Sequence, residues 1–304
     1  MNYNNKKGIL LESGTNELEI IVFSIGDEMF GINVLKVREI INPLPITKMP
    51  NSHPNVEGII RLRDMILPVI NLGKVLNFPV SNNPEKDKLV VVEFNNIKAA
   101  FHVDDVSRIH RISWEQIEKP SEVTQGLEQS TIGVIKLDDE MVLLLDYEKI
   151  VVEIAPEVGI NKNSIKELGP RERSDKRIVI AEDSAVLRRM IEDTLADAGY
   201  HNVYFFDNGK TAWEYLETLS EKGRAGVEEA VQLIITDLEM PQMDGHHLTK
   251  RIKDSDVLRG LPVVIFSSLI TGELKHKGKL VGADAQISKP EIARLVETID
   301  KLIL

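Results

Sequence analysis

The sequence predicts two domains of different class, an all-β N-terminal half and a C-terminal α/β domain wound around a five-stranded parallel sheet. Three observations predict this. Five short apolar runs alternate with helical patterns in the last third, while short β-rich runs without long helical periods fill the first half. In addition, one strand-turn-strand unit occurs twice within that first half. A chain of 304 residues is long enough for two such cores.

The β-rich runs of the first half are "ELEIIVFSIG", "MILPVINL", "KLVVVEF", "IKAAFHV" and "MVLLLDY", separated by turn pairs such as Gly26-Asp27 and Asn95-Asn96. They predict small β-barrels or a sandwich. "GIIRLRDMILPVINLGKV" from Gly58 lies over "GVIKLDDEMVLLLDYEKI" from Gly133 without a gap, with apolar and polar positions matching almost throughout, which implies two related lobes. The polar stretch "APEVGINKNSIKELGPRERSDK" follows and reads as a linker. The expected layout is an extension at 1–16, an all-β domain at 17–155, a linker at 156–175 and an α/β domain at 176–304.

In the C-terminal part, "RIVIAE" at 177–182 is the first strand, followed by a helix with Val186, Leu187, Met190, Ile191 and Leu195 on one face. "NVYFFD" is the second strand and 211–219 the second helix. "LIITD" is the third strand, with a helix through 247–252. "PVVIFSS" is the fourth, with a helix near 273–280. "AQIS" is the fifth, and Ile292, Leu295, Val296, Ile299, Leu302 and Ile303 line one face of the last helix. Strict alternation predicts a doubly wound sheet with helices on both faces and its site at the carboxyl ends of the strands.

Composition removes several classes of function. The chain has no cysteine, which excludes disulfides, thiolate catalysis and cysteine-ligated metals. A net charge of -11 argues against a nucleic-acid partner. No apolar run has the length of a membrane span, and "MNYNNKKGIL" lacks a signal-peptide core, so a cytoplasmic location without membrane insertion is expected. His246 and His247 are adjacent, diverge by about 100° on a helix, and are expected on its solvated surface.

The chemistry concentrates at the strand ends. The first strand ends in Glu182-Asp183, the third in Asp237 and the fourth in Ser267; Lys289-Pro290 follows the fifth. Neighbouring strands lie about 4.8 Å apart, so these groups share one edge. Two carboxylates at ~4 Å repel by about 4 kcal/mol at an effective dielectric near 20, so the cluster calls for cations. Lys289 supplies one, and Mg2+, which favours one or two carboxylates with waters and a phosphate oxygen, is the natural second. A carboxylate so placed can accept a phosphoryl group as an acyl phosphate, with Ser267 donating its hydroxyl to the attached group. "MPQMDG", after Asp237-Leu238-Glu239, turns the backbone away and leaves room for a donor.

Residues 176–304 resemble the response-regulator receiver domain, on the acid pair Glu182-Asp183, "D-x-x-M-P-x-M-D-G" at 237–245, Ser267 and Lys289-Pro290, in that order. The resemblance implies that Asp237 is the phosphoacceptor and that Asp183, Asp237 and the backbone carbonyl of Glu239 are Mg2+ ligands, with Glu182 assisting through water. It also implies that Lys289 pairs with the phosphoryl group and that its peptide bond to Pro290 is cis. The receiver pattern places an aromatic switch residue three positions before the lysine; here Gln286 stands there.

The stretch "FGINVLKVREIINPLPITKMPNSHPNVEGIIRLRDMILPVINL", with the later "LLLDYEKI", resembles CheW-type chemotaxis coupling domains over about 18–154. That resemblance implies a pair of five-stranded SH3-like barrels. Together the two halves resemble the CheV coupling proteins. This implies a chemotaxis adaptor at chemoreceptor arrays whose partners are the histidine kinase CheA and the cytoplasmic tips of chemoreceptors. Its only chemistry would be to accept and lose its own phosphoryl group. Arg63 matches the arginine of the family's "N-L-R-G" turn and is the receptor-facing candidate. Here the turn reads "R-L-R-D", with Asp64 as the residue expected to tolerate a positive φ. Of Ile32, Val34 and Val37, most are expected in the core rather than at an interface. A haloacid-dehalogenase-type phosphatase would want an aspartate two residues after the nucleophile, where Glu239 stands. A regulator with a nucleic-acid output would want a basic partner domain. A regulator acting outside the receptor array is the remaining alternative.

Overall fold

The computed structural model describes residues 16–79, 81, 83–94, 97–118, 131–137, 140–156, 172–270, 272–289 and 291–304. The turn at 95–96, Pro290, most of the expected linker and all of the extension but Asn16 lie outside them. The chain divides into two compact units, Glu17–Gly159 and Ile160–Leu304 with Met1–Asn16. No helix among the described residues is long and apolar enough to cross a membrane.

Among the described residues the first unit holds ten strands: β1 (Glu17–Ile25), β2 (Glu28–Asn33), β3 (Val37–Ile41), β4 (Val56–Leu62), β5 (Met65–Asn71), β6 (Lys88–Phe94), β7 (Ile97–Val103), β8 (Asp105–Ser113), β9 (Thr131–Leu137) and β10 (Glu140–Leu145). They form two five-stranded sheets, β8-β1-β2-β10-β9 and β3-β6-β7-β5-β4. Each has its own core, one around Ile20, Val22, Trp114 and Leu144, the other around Ile60, Leu67, Val69 and Val91. Ile32 is buried, whereas Val34 and Val37 are half-buried.

The internal repeat is present in three dimensions. The β4–β5 hairpin pairs Gly58 with Val69, Ile60 with Leu67 and Leu62 with Met65. The β9–β10 hairpin pairs Gly133 with Leu144, Ile135 with Val142 and Leu137 with Glu140, the same register one repeat later. Both hairpins run into a helix capped by the equivalent residue: Asn71 accepts from the Lys74 amide before α1 (Leu72–Val75), and Asp146 from the Lys149 amide before α2 (Tyr147–Ile154). Both are crossed by a returning segment, through the bridges Thr47–Ile59 and Glu118–Val134. That crossing explains both glycines. A Cβ on Gly58 would strike the Thr47 carbonyl, and one on Gly133 the Ile117 side chain.

The second unit is a parallel sheet in the order β12-β11-β13-β14-β15, formed by β11 (Ser174–Ala181), β12 (Tyr200–Phe206), β13 (Leu233–Thr236), β14 (Val263–Ser267) and β15 (Ala285–Ser288). Its described helices are α3 (Ala185–Asp197), α4 (Gly209–Ser220), α5 (Gly223–Ala230), α6 (Gly245–Asp254), α7 (Gly272–Leu280) and α8 (Ile292–Ile303). Alternating strand residues serve opposite faces. Ile178 and Ile180 pack with Ile191 and Leu195 of α3 and with Leu295 and Ile299 of α8. Val179 and Ala181 pack with Leu216 of α4, Val227 of α5 and Ile252 of α6. Two details depart from expectation. β11 opens at Ser174, inside the expected linker, and a sixth helix, α5, follows α4.

Candidate functional site

Backbone hydrogen bonds bring four strand exits into register. The Asp237 amide donates to the Ala181 carbonyl at 2.9 Å, and the Lys289 amide to the Ser267 carbonyl at 3.0 Å. Glu182, Asp183, Asp237, Ser267 and Lys289 therefore converge at the carboxyl edge of the sheet, where a doubly wound fold places its site.

One carboxylate oxygen each from Glu182, Asp183 and Asp237 lies within 4.8 Å of the others. Lys289 Nζ stands between two of them, 2.8 Å from Glu182 Oε2 and 3.2 Å from Asp237 Oδ2. These three side chains are 2–3% exposed. Three carboxylates against one ammonium leave a formal excess of negative charge in a place where water screens little. The donor set is all oxygen and suits a hard divalent ion such as Mg2+.

Asp237 is held by its neighbours. Its Oδ1 accepts from the Leu238 amide at 2.7 Å, and its carbonyl accepts from Thr236 Oγ1 at 2.9 Å. The loop after it explains the "MDG" run. Gln242 adopts a φ of 66°, and Asp244 caps α6 by accepting from the His247 amide at 2.6 Å. Gly245 packs so closely that any Cβ would strike the Asp237 carbonyl. Asp244 is thus a helix cap rather than a fourth member of the acid cluster, and burial raises its pKa. Glu239 is buried in the same loop. Ser267 is fully buried at the end of β14, its Oγ accepting from the Leu269 amide at 3.4 Å.

Two positions correct the sequence reading. His246 is not on the solvated surface. It is 3% exposed, and burial, with Lys277 nearby, pushes its pKa down to about 3, so the ring is neutral. At the β4–β5 turn, Arg63 rather than Asp64 takes the positive φ, 55°. The Arg63 side chain reaches back to Glu39 at 3.0 Å and is 71% exposed, well away from any core. Gln286 spans from β15 to α7, its Nε2 donating to the Lys275 carbonyl at 2.8 Å while its amide lies against Gly278. Arg188, which the motif pattern does not single out, places its guanidinium against the backbone of the acid pair.

The CheW-like domain family matches residues 19–155, and the response regulator receiver domain family residues 178–300. The chain is 29% identical over 301 residues to the chemotaxis protein CheV3 of Helicobacter pylori, covering 95% of each chain. It is 25% identical over 306 residues to CheV1 of the same organism, covering 93% of each. The chemotaxis protein CheW of Thermotoga maritima is 29% identical over 150 residues, 49% of this chain and 98% of that one. The chain thus joins a CheW-like domain to a response-regulator receiver domain, and along nearly its whole length it is similar to CheV chemotaxis proteins.

Proposed function

We propose that the protein is a chemotaxis coupling adaptor whose CheW-like domain links chemoreceptor tips to the histidine kinase CheA, and whose receiver domain adjusts that link when Asp237 is phosphorylated. The observation that carries the reading is the buried acid cluster with its bridging lysine, in a chain whose other half matches a CheW-like domain. An Asp237 carboxylate oxygen attacks the phosphorus of a phosphohistidine donor. The new O–P bond forms as the P–N bond breaks, and the imidazole takes up a proton. Water later cleaves the acyl phosphate, returning the carboxylate and inorganic phosphate. Lys289, already 3.2 Å from Asp237, offsets charge on the transferred group, and the Ser267 hydroxyl donates to it.

Glu182, Asp183, Asp237 and the backbone carbonyl of Glu239 are the groups that would hold Mg2+. When bound, the ion neutralises charge on the phosphoryl oxygens. The protein's own residues supply position and electrostatics, which is most of what phosphoryl transfer requires. Arg63 is the receptor-facing residue of the CheW-like domain in this reading. Its exposed side chain and the left-handed backbone beneath it fit a recognition role better than a packing one.

Phosphoryl uptake tests the site. With labelled phospho-CheA or acetyl phosphate, the wild type is expected to take up label in Mg2+ and to lose that ability in excess EDTA. Asp237→Asn is expected to take up none. Label on the folded Asp237→Asn protein would refute the assignment.

A further inference from the structure

We propose that Arg188 is a positioning residue of the phosphoacceptor site, holding the backbone of the acid pair so that Glu182 and Asp183 can share a divalent ion with Asp237. The proposal rests on the reading of that cluster as a metal-assisted phosphoacceptor site.

Arg188 is the fourth residue of α3, whose N-cap is Ser184 and whose first turn has no acidic residue. A cation there opposes the helix dipole, whose positive end lies at the N-terminus, so local helix preference does not explain it. The side chain instead turns back over its own helix start. Its Nη1 donates to the Glu182 carbonyl at 2.9 Å and, at 3.5 Å, reaches the Asp183 carbonyl. The two carbonyls belong to the two residues whose carboxylates enter the cluster. The same turn is pinned from the other side, since the Ser184 amide lies 3.3 Å from Glu182 Oε1 and the Glu182 amide donates to the Phe206 carbonyl at 2.9 Å.

The physical consequence concerns the strand exit. Three carboxylates within 4.8 Å push one another apart, and Glu182 and Asp183 lie just past the end of β11 at Ala181. A guanidinium donating to both carbonyls resists the displacement and holds the backbone from which the two carboxylates project. A local preference broken at a strand exit, with a compensating contact to the site, is the pattern expected of a functional residue.

Mg2+ titration of the full chain by calorimetry tests this, using wild type, Arg188→Met, Arg188→Lys and the neighbouring Arg189→Met. Outer-shell partners of metal ligands typically contribute 10–100-fold in affinity, so Arg188→Met is expected to lower the Mg2+ association constant by about 10-fold. Arg188→Lys, which keeps a charged donor, recovers most of the loss, and Arg189→Met changes nothing. A purely structural Arg188 would lower the melting temperature while leaving the association constant of the folded protein unchanged, and that result overturns the proposal. If Arg188→Met does not fold, Arg188→Gln is judged on the same criterion. A wild type that binds no Mg2+ removes the metal-assisted reading itself and this inference with it. A wild type that binds Mg2+ beside an equally avid Arg188→Met removes the inference alone.

Discussion

In the CheW-like domain, His102 lies between two carboxylates, Nδ1 2.9 Å from Glu57 and Nε2 3.0 Å from Asp87. In the receiver domain, Lys289 lies between two others, 2.8 Å from Glu182 and 3.2 Å from Asp237. The difference is in what surrounds each pair. Glu57 also accepts from Asn71 Nδ2 at 2.7 Å, and Asp87 from Ser81 Oγ at 2.6 Å, so the second donors of the first cluster are side chains, where Glu182 and Asp237 face backbone amides. The second cluster brings in a third carboxylate, Asp183, and its ion-paired side chains are far less exposed than His102. The first arrangement is closed on itself and joins β4, β7 and the segment before β6. The second gathers three carboxylates around one lysine, with Glu182 and Asp237 buried, as the proposed cation site requires.

Removing the lysine from the second cluster should have the largest effect. Lys289→Met leaves buried carboxylates without that partner, and such losses run to about 3–5 kcal/mol, measurable by urea unfolding. Added Mg2+ should return part of that loss, because the ion takes over the charge. Next, Mg2+ should stabilise the wild-type receiver by about 2.7 kcal/mol at a hundredfold excess over its dissociation constant, with no such gain in Asp183→Asn at the same concentration.

The His102 cluster should respond to pH instead of metal. The hydrogen bond that His102 donates to Glu57 raises the His102 pKa above its ordinary 6.5, overcoming burial. Burial alone would raise the Glu57 pKa, but bonds from His102 and Asn71 hold it below its ordinary 4.5. Lys74 of α1 adds a smaller favourable charge to Glu57. A raised histidine pKa gives stability that is complete below the unfolded value and fades as pH climbs through the folded one. A depressed carboxylate pKa gives stability that is present above the unfolded value and fades as pH falls through the folded one. The cluster therefore contributes most between 4.5 and 6.5. In that window His102→Gln should cost about 2 kcal/mol, a typical value for charged hydrogen bonds, and the difference from wild type should shrink above it. The smallest stability effect belongs to Arg63→Ala, within about 0.5 kcal/mol, since the Arg63 side of its pair with Glu39 is mostly exposed. Its effect on receptor binding should be out of proportion to that number.

Much of this was legible in the sequence for physical reasons. Strands of a parallel sheet are buried on both faces and appear as short apolar runs, as "LIIT" does. The repeat was legible because both hairpins must bury the same face and admit the same crossing segment. The acid cluster was legible because its members follow strand ends. The misses have equally plain causes. In α5, "GRAGVEEA", two glycines weaken the helical signal and only Val227 is buried. β8 is an edge strand in which every residue but Ile112 is exposed or half-buried, so no apolar alternation marks it. His246 is covered in the fold by residues around Lys277, a contact between distant segments that local pattern does not encode. Arg188 has no signal in the sequence because its contacts are to two carbonyls, which carry no side-chain identity.

The proposed coupling role is tested by kinase flux through CheA in membranes that hold chemoreceptors and no other coupling protein. The unphosphorylated chain is added beside its Arg63→Ala variant. Flux is expected to rise, to become sensitive to attractant, and to fall short with the variant. Unchanged flux from a protein whose Asp237 still accepts phosphoryl groups would contradict it, and would mark the chain as a phosphate sink or a regulator of another partner.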